Sequence, residues 1–163
     1  LNDGDTINGK TSISINFWVN ITAGDNYDGI VCTRNGNDYL LIYIDSVSGD
    51  DFVIRVQQRA ASGGSYSLTT SPTLTKGNWY NVTCTGTTGA KWDLYINGSN
   101  SGQTQGNAIT SFAQSANFFI GTDSQIGGRF IVGKIGPVSI YDKKLSAQEV
   151  KQNYNALKGR FGL

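Results

Sequence analysis

Histidine and methionine are absent from this 163-residue chain, and glutamate occurs once, at Glu149. Each absence closes a class of chemistry. Without histidine there is no Ser-His-Asp triad and no Cys-His nucleophile. Zinc sites draw on several Cys, His or carboxylate ligands, and a chain with two cysteines and no histidine is poorly equipped for one. Thirteen basic residues against twelve acidic ones leave a formal charge of +1, so no long-range field favours nucleic acid or an anionic membrane. No apolar run approaches the roughly 20 residues that a membrane helix needs, and Leu1 is followed by polar turn residues, unlike an export signal. The leucine start and the missing methionine mark a processed or excised segment, expected to be the C-terminal part of a longer chain. Residues 1–163 are expected to form a single domain, since that length supports one core.

The two cysteines, Cys32 and Cys84, both lie inside apolar alternations, Ile30-Val-Cys-Thr and Val82-Thr-Cys-Thr. Two readings stay open for them: free thiols acting as small hydrophobes, or a disulfide.

What the chain does have is alternation of period two. Ile13, Ile15, Phe17 and Val19 face one way and Ser12, Ser14, Asn16 and Trp18 the other, which predicts a half-buried strand. Further strands are expected at 30–33, 39–45, 52–57 and 66–70, with Gly63-Gly64 as a hairpin tip, and then at 79–84, 91–96, 117–121 and 129–141. Asn97-Gly98 is the strongest two-residue hairpin signal, with a return strand expected over 99–104 and a loop beyond it. Many short strands separated by turns, with no crossover helices, predict a two-sheet antiparallel sandwich.

The end of the chain departs from this pattern. Ser146 and Glu149 have the spacing of a capping box, and Leu145 with Val150 that of a hydrophobic staple. Val150, Tyr154 and Leu157 recur as one apolar stripe, so one short helix is predicted over about 147–157, ending near Lys158-Gly159-Arg160.

Three segments resemble the laminin-G-like branch of the concanavalin A-like lectin and glucanase superfamily. They are Ser12-Ile-Ser-Ile-Asn-Phe-Trp-Val19; Lys76-Gly-Asn-Trp-Tyr-Asn-Val82 with Ala90-Lys-Trp-Asp-Leu-Tyr-Ile-Asn-Gly98; and Gly133 to Ser146 with the helix Gln148-Glu-Val-Lys-Gln-Asn-Tyr154. The resemblance implies an all-β jelly-roll sandwich closed by that single helix. The third segment, with its Gln152 to Ala156 and terminal Gly159 to Leu163, looks especially like laminin-G-like domains of phages and large DNA viruses, which implies a capsid decoration, fibre or tail protein.

Glucanases of that superfamily place two glutamates and an aspartate on one strand, and retaining hydrolysis needs two carboxyls about 5 Å apart. Glu149 is already explained as a cap, and Asp50-Asp51 reads as a solvated turn whose members point to different faces. The chain therefore reads as non-enzymatic. Relatives often hold one calcium on rim loops through Asp, Asn and carbonyl oxygens. The loops Asp25-Asn26-Tyr27-Asp28 and Asn37-Asp38-Tyr39 offer such atoms, with tyrosines for a pyranose to stack on, although Asn and Asp are also ordinary turn residues. A calcium ion would use Asp25, Asp28 and Asp38. Trp79 and Trp92 are expected in the core, and Trp18 is a candidate stacking platform unless its face is covered. Asn20-Ile-Thr22, Asn81-Val-Thr83 and Asn97-Gly-Ser99 are glycosylation sequons.

The leading expectation is a lectin-like module on a virion surface or outside the cell, with glycans and other virion or surface subunits as partners and homo-oligomers allowed. Membrane insertion and nucleic-acid binding are not expected. The alternatives are a purely structural, oligomerising module and a glycan-binding domain of a bacterial surface protein.

Overall fold

The computed structural model describes residues 7–36, 38–59, 65–70, 73–109, 111–112, 117–123 and 126–163. Its strands are β1 (Ser12–Ala23), β2 (Gly29–Asn35), β3 (Asp38–Ser48), β4 (Asp51–Arg59), β5 (Ser65–Thr70), β6 (Leu74–Thr75), β7 (Trp79–Thr87), β8 (Asp93–Ile96), β9 (Ser99–Asn100), β10 (Gly102–Gly106), β11 (Phe118–Ile120) and β12 (Val132–Tyr141). The helix α1 (Ala147–Leu157) follows, and the chain closes in a 3-10 turn, Lys158–Phe161. A five-stranded sheet in the order β12-β1-β7-β8-β9 packs on a seven-stranded sheet in the order β10-β5-β4-β3-β2-β11, with β6 paired to β4. This is the all-β sandwich that the alternations predict.

The core lies between the sheets. Ile13, Ile15, Phe17, Val19 and Ile21 of β1 meet Ile42 and Ile44 of β3 and Phe52, Ile54 and Val56 of β4. Each contributes about 1.5–3 kcal/mol of transfer free energy when buried. Register keeps the inward sets together, with Ile15 opposite Cys84 and Phe17 opposite Val82, because a one-residue slip would turn every apolar side chain outward.

β1 is not half-buried as its alternation predicts. Its polar side is covered too: Ser14, Asn16, Trp18 and Asn20 are all buried. The cover is the C-terminal segment, with Leu145 and Val150 packed on Tyr95 and Tyr141. Phe161 stacks on Trp18 at 4.1 Å. The polar groups beneath are largely satisfied, as buried ones must be. Asn16 Nδ2 donates to Asn81 Oδ1 at 3.2 Å and Thr83 Oγ1 at 2.6 Å, while Ser14 Oγ donates to the Lys143 carbonyl and accepts from the Leu145 amide.

The capping box is formed. The Glu149 amide donates to Ser146 Oγ, and the Ser146 amide donates to Glu149 Oε2. Lys143 and Ser146 hydrogen-bond the Glu149 carboxylate and pull its pKa down to about 2. The helix ends at Leu157, as its pattern predicts. The 3-10 turn carries the chain on to Gly162, which takes the left-handed conformation at φ 74. Asn97 and Gly98, at φ 52 and 74, form the expected hairpin turn, but the return strand divides. β9 stays in the small sheet and β10 joins the large one. The short strand β6 had no signal in the alternation, and the Gly63-Gly64 tip lies outside the described residues. Cys32 and Cys84 are not bridged and sit in different sheets, Cys84 in the core, so the disulfide alternative falls. Burial pushes the Cys84 thiol well above its ordinary pKa.

Candidate functional site

On the large sheet, the residues of β3 that point away from the core are Tyr39, Leu41 and Tyr43, which cluster with Cys32 and Phe119. Pairing sets Arg34 opposite Tyr39, Gln57 opposite Leu41, and Arg55 opposite Tyr43. This outer face is thus aromatic and basic, and the loops at its edge complete it.

The loop 25–28 is a tight turn. The Asp28 amide donates to the Asp25 carbonyl, and the Asp25 amide donates to Asp28 Oδ2 at 2.8 Å. The turn is tied to β3 from both sides, because the Tyr27 amide donates to the Ile44 carbonyl and the Ile44 amide donates to the Asp28 carbonyl. Asn26 Oδ1 accepts from the Val47 amide. Tyr27 occupies the third turn position at φ 76, where glycine or asparagine is usual. A bulky side chain held there costs about 1–3 kcal/mol and points to a constraint other than the backbone's own preference. Tyr27 is 45% exposed, and its ring stacks on Tyr43 with centroids 5.5 Å apart.

Next to this turn the chain crosses itself. A Cβ at Gly29 would lie 2.5 Å from the Thr122 carbonyl carbon, so only glycine admits the crossing. The crossing brings the segments 121–123 and 129–131 together: the Asp123 and Gly29 amides both donate to the Arg129 carbonyl, and the Gly121 amide donates to the Ile30 carbonyl.

Asp123 is thereby placed under the face with its carboxylate fully buried. Arg34 Nε and Nη2 donate to its two oxygens at 3.0 and 2.9 Å, and Arg129 Nη1 donates to Oδ2 at 3.3 Å. Such a carboxylate is held by charge-assisted hydrogen bonds that fix the guanidinium planes. The arginines are also held by tyrosines, Arg34 over the Tyr39 ring at 4.3 Å and Arg129 over the Tyr27 ring at 4.9 Å. The Arg129 side chain is 28% exposed and that of Arg34 12%.

The residues predicted from sequence are dispersed. Tyr27 is exposed at the site, and Asp25 lies beside it. Asn26 braces the loop. Asp28 is buried, which raises its carboxyl pKa, while the Asp25 amide and the Arg129 charge act the other way. Tyr39 is buried under Arg34. Asp38 pairs with Asn35 at the far end of β3, whereas Asp28 bonds to Ile44. That separation of six strand residues is about 20 Å at the usual rise, so Asp25, Asp28 and Asp38 cannot share a calcium ion. With Asp28 Oδ2 spent on the turn, the residues present do not fit that ion. Asn37 lies outside the described residues. Trp18 is fully buried under Phe161 and Tyr154 and cannot stack on a ligand. Trp79 is half-buried outside the core, tilted on Phe161 at 4.7 Å, while Trp92 is in the core and donates to Gln58 Oε1. The sequon amides are engaged within the fold. Asn20 Nδ2 donates to the Gly77 carbonyl, Asn81 is fully buried, and Asn97 Oδ1 accepts from the Asn81 amide.

Arg34, Asp123 and Arg129 escaped the sequence reading. Arg34 opposite Tyr39 follows from hairpin register, but the Asp123–Arg129 contact depends on the crossing at Gly29, which alternation does not encode.

A laminin-G-type family profile, described as that of the concanavalin A-like lectin/glucanases superfamily, matches residues 1–151. A search of curated protein sequences returns no match. Among solved structures, the CBM40 module of the Ruminococcus gnavus IT-sialidase, bound to α2,3-sialyllactose, superposes with a TM-score of 0.71 at 17% identity, covering 90% of this chain and 84% of that one. Domain 4 of the extracellular arabinanase AbnA from Geobacillus stearothermophilus, in complex with arabinotriose, gives 0.65 at 16% identity over 90% and 68% of the two chains. The receptor-binding domain of the botulinum neurotoxin C/D mosaic serotype gives 0.67 at 17% identity over 90% of this chain. The chain spans 36% of that domain's length. At these identities the likeness is one of fold.

Proposed function

The chain belongs to the concanavalin A-like lectin/glucanase superfamily, and from that premise we propose that it is a non-enzymatic module that binds glycans at the Tyr27–Arg129 surface. One observation carries the reading: a buried carboxylate, Asp123, fixes two guanidiniums beside a tyrosine that is exposed despite an unfavourable φ. Rigid, preorganised donors at a surface are what a weakly hydrophobic ligand such as a sugar requires. The sugar-bound sialidase and arabinanase domains support it by analogy of fold. Non-enzymatic action is supported by Glu149, whose carboxylate is committed to the cap and to Lys143. The finer placement, a virion-surface decoration, fibre or tail domain, is supported by the resemblance of residues 133–156 and 159–163 to phage and viral domains. Mass spectrometry of the assembly that carries the chain tests it, with capsid or tail subunits as expected neighbours.

A glycan array read with and without chelator tests the binding reading. The expected result is retained binding to a defined set of glycans under chelation, since no calcium is assigned. Absence of binding to every glycan would reject it. One observation favours a second reading as a protein-contact module. Ile120, Phe130 and Val132 are 45%, 59% and 54% exposed where the two sheets' edges approach, and a concentration-dependent increase in sedimentation, abolished by Phe130→Ser, is its expected sign.

A further inference from the structure

We infer that the Tyr27–Arg129 surface selects glycans bearing a carboxylate, with Arg129 as the residue that reads it; this rests on the glycan-binding reading above.

A neutral pyranose is usually gripped by an open aromatic face, supplemented by hydroxyl contacts. Here the aromatic rings are spoken for. Arg34 lies over Tyr39, which is itself buried, and the Tyr27 ring has both Arg129 and Tyr43 against it. The rings hold guanidiniums in place, and the guanidinium edges are what remains for a ligand.

The two arginines are not equivalent. Arg34 spends Nε and Nη2 on both oxygens of Asp123 and is 12% exposed. Arg129 gives Nη1 alone to that carboxylate, at the longer distance of 3.3 Å, and is 28% exposed. A guanidinium has five N–H donors and no acceptor, so most of the Arg129 donors are uncommitted in this contact. Adjacent donors in a rigid plane match the two oxygens of a carboxylate. Charge agrees. Both arginines share the one Asp123 carboxylate, and Asp28, the other carboxylate acting on Arg129, is buried with Oδ2 accepting from the Asp25 amide. Among the described residues, Asp25, Asp38, Arg59 and the Asp45–Arg55 ion pair, 2.9 Å across, are further charges on this face. Asp45 and Arg55 offset each other's charge.

The test is titration of the intact chain with matched oligosaccharides ending in glucuronate, in glucose, or in a sulfated glucose, by calorimetry at low salt. For the unmodified chain the glucuronate form is expected to bind about 10- to 100-fold tighter than the glucose form, the range for a charge-assisted pair. Arg129→Gln is expected to erase that preference, Arg129→Lys to reduce it, because a point charge lacks the fork, and Lys151→Gln to leave it intact. Thermal melts of each variant confirm folding. Equal binding of glucuronate and glucose forms would overturn this inference and leave the glycan reading standing. Sulfated glucose binding as tightly as glucuronate, with Arg129→Lys fully active, would also overturn it in favour of a generic anion site. Binding of none of these while other glycans bind on the array would overturn the inference alone, and binding of no glycan anywhere would sink both.

Discussion

The outer faces of the two sheets are made of similar side chains and end in opposite states. On the five-stranded sheet, Trp18, Trp79, Asn16, Asn81, Thr83 and Thr85 form an aromatic and polar surface that would serve a sugar well. It is closed instead by α1 and Phe161. On the seven-stranded sheet, Tyr39, Tyr43, Arg34 and Arg55 form a comparable surface, and it reaches solvent through Tyr27, Arg129 and Arg55. The difference lies in what each face's hydrogen-bonding groups do. Under α1, Asn16, Asn81 and Thr83 hydrogen-bond one another, Trp18 Nε1 and Thr85 Oγ1 are buried without a partner, and aromatic area is spent on stability. At the open face Arg34 and Arg129 are pinned from below by the buried Asp123 carboxylate and Arg55 by Asp45, while Tyr27 and part of Arg129 stay exposed. Composition of a face therefore does not identify a binding surface; whether another segment of the chain covers that face does.

The contrast can be broken at the closed face first. Trp18→Ala is expected to cost about 3–5 kcal/mol, the range for removing a large buried aromatic, read by urea denaturation. Glycan binding should survive at temperatures where the variant stays folded. Loss of binding by a folded Trp18→Ala protein would mean that the closed face had been misjudged.

Asp123→Ala attacks the open face from beneath and is expected to cost about 3 kcal/mol, because it strands the Arg34 guanidinium in a largely buried position. Unlike the tryptophan change, it should abolish binding in protein that still melts cooperatively. Binding retained at wild-type affinity would show that the carboxylate only supports the fold.

Tyr27→Gly separates strain from function. Relief of the positive φ and loss of the Tyr43 stack are comparable and opposed, so stability should stay within about 1 kcal/mol of the parent. Binding should fall steeply, since Arg129 loses the ring beneath it. A stabilised variant that still binds would remove Tyr27 from the site.

The smallest effect concerns the clasp. The Glu149 pKa is lowered from 4.5 to about 2 by Lys143 and Ser146. Its stabilising contribution is therefore complete above pH 4.5 and fades as pH falls through about 2. The difference in melting temperature between the parent and Glu149→Gln should shrink across that window; a constant difference would deny the carboxylate its role.

The strands and the helix were legible because they rest on local signals. Alternation marked β1, β3 and β4, the pair Asn97-Gly98 marked a hairpin, and Ser146 with Glu149 marked the helix start. The cover over Trp18 was not legible, since it comes from Phe161, 143 positions later in the chain. The site was legible only in part. Tyr27 stood out as an aromatic in a turn, but Asp28 and Asn26 looked like ligands when their side chains serve the turn itself. Arg129 and Asp123 acquire meaning only where Gly29 lets two backbone segments cross.

The most direct test of the account is amide hydrogen exchange of the intact chain with and without a glycan taken from the array. Slowed exchange is expected at residues 24–29, 121–123 and 126–131, with β1, β7 and α1 unchanged. Slowing over α1 or β7 with no change at residues 24–29 would contradict it.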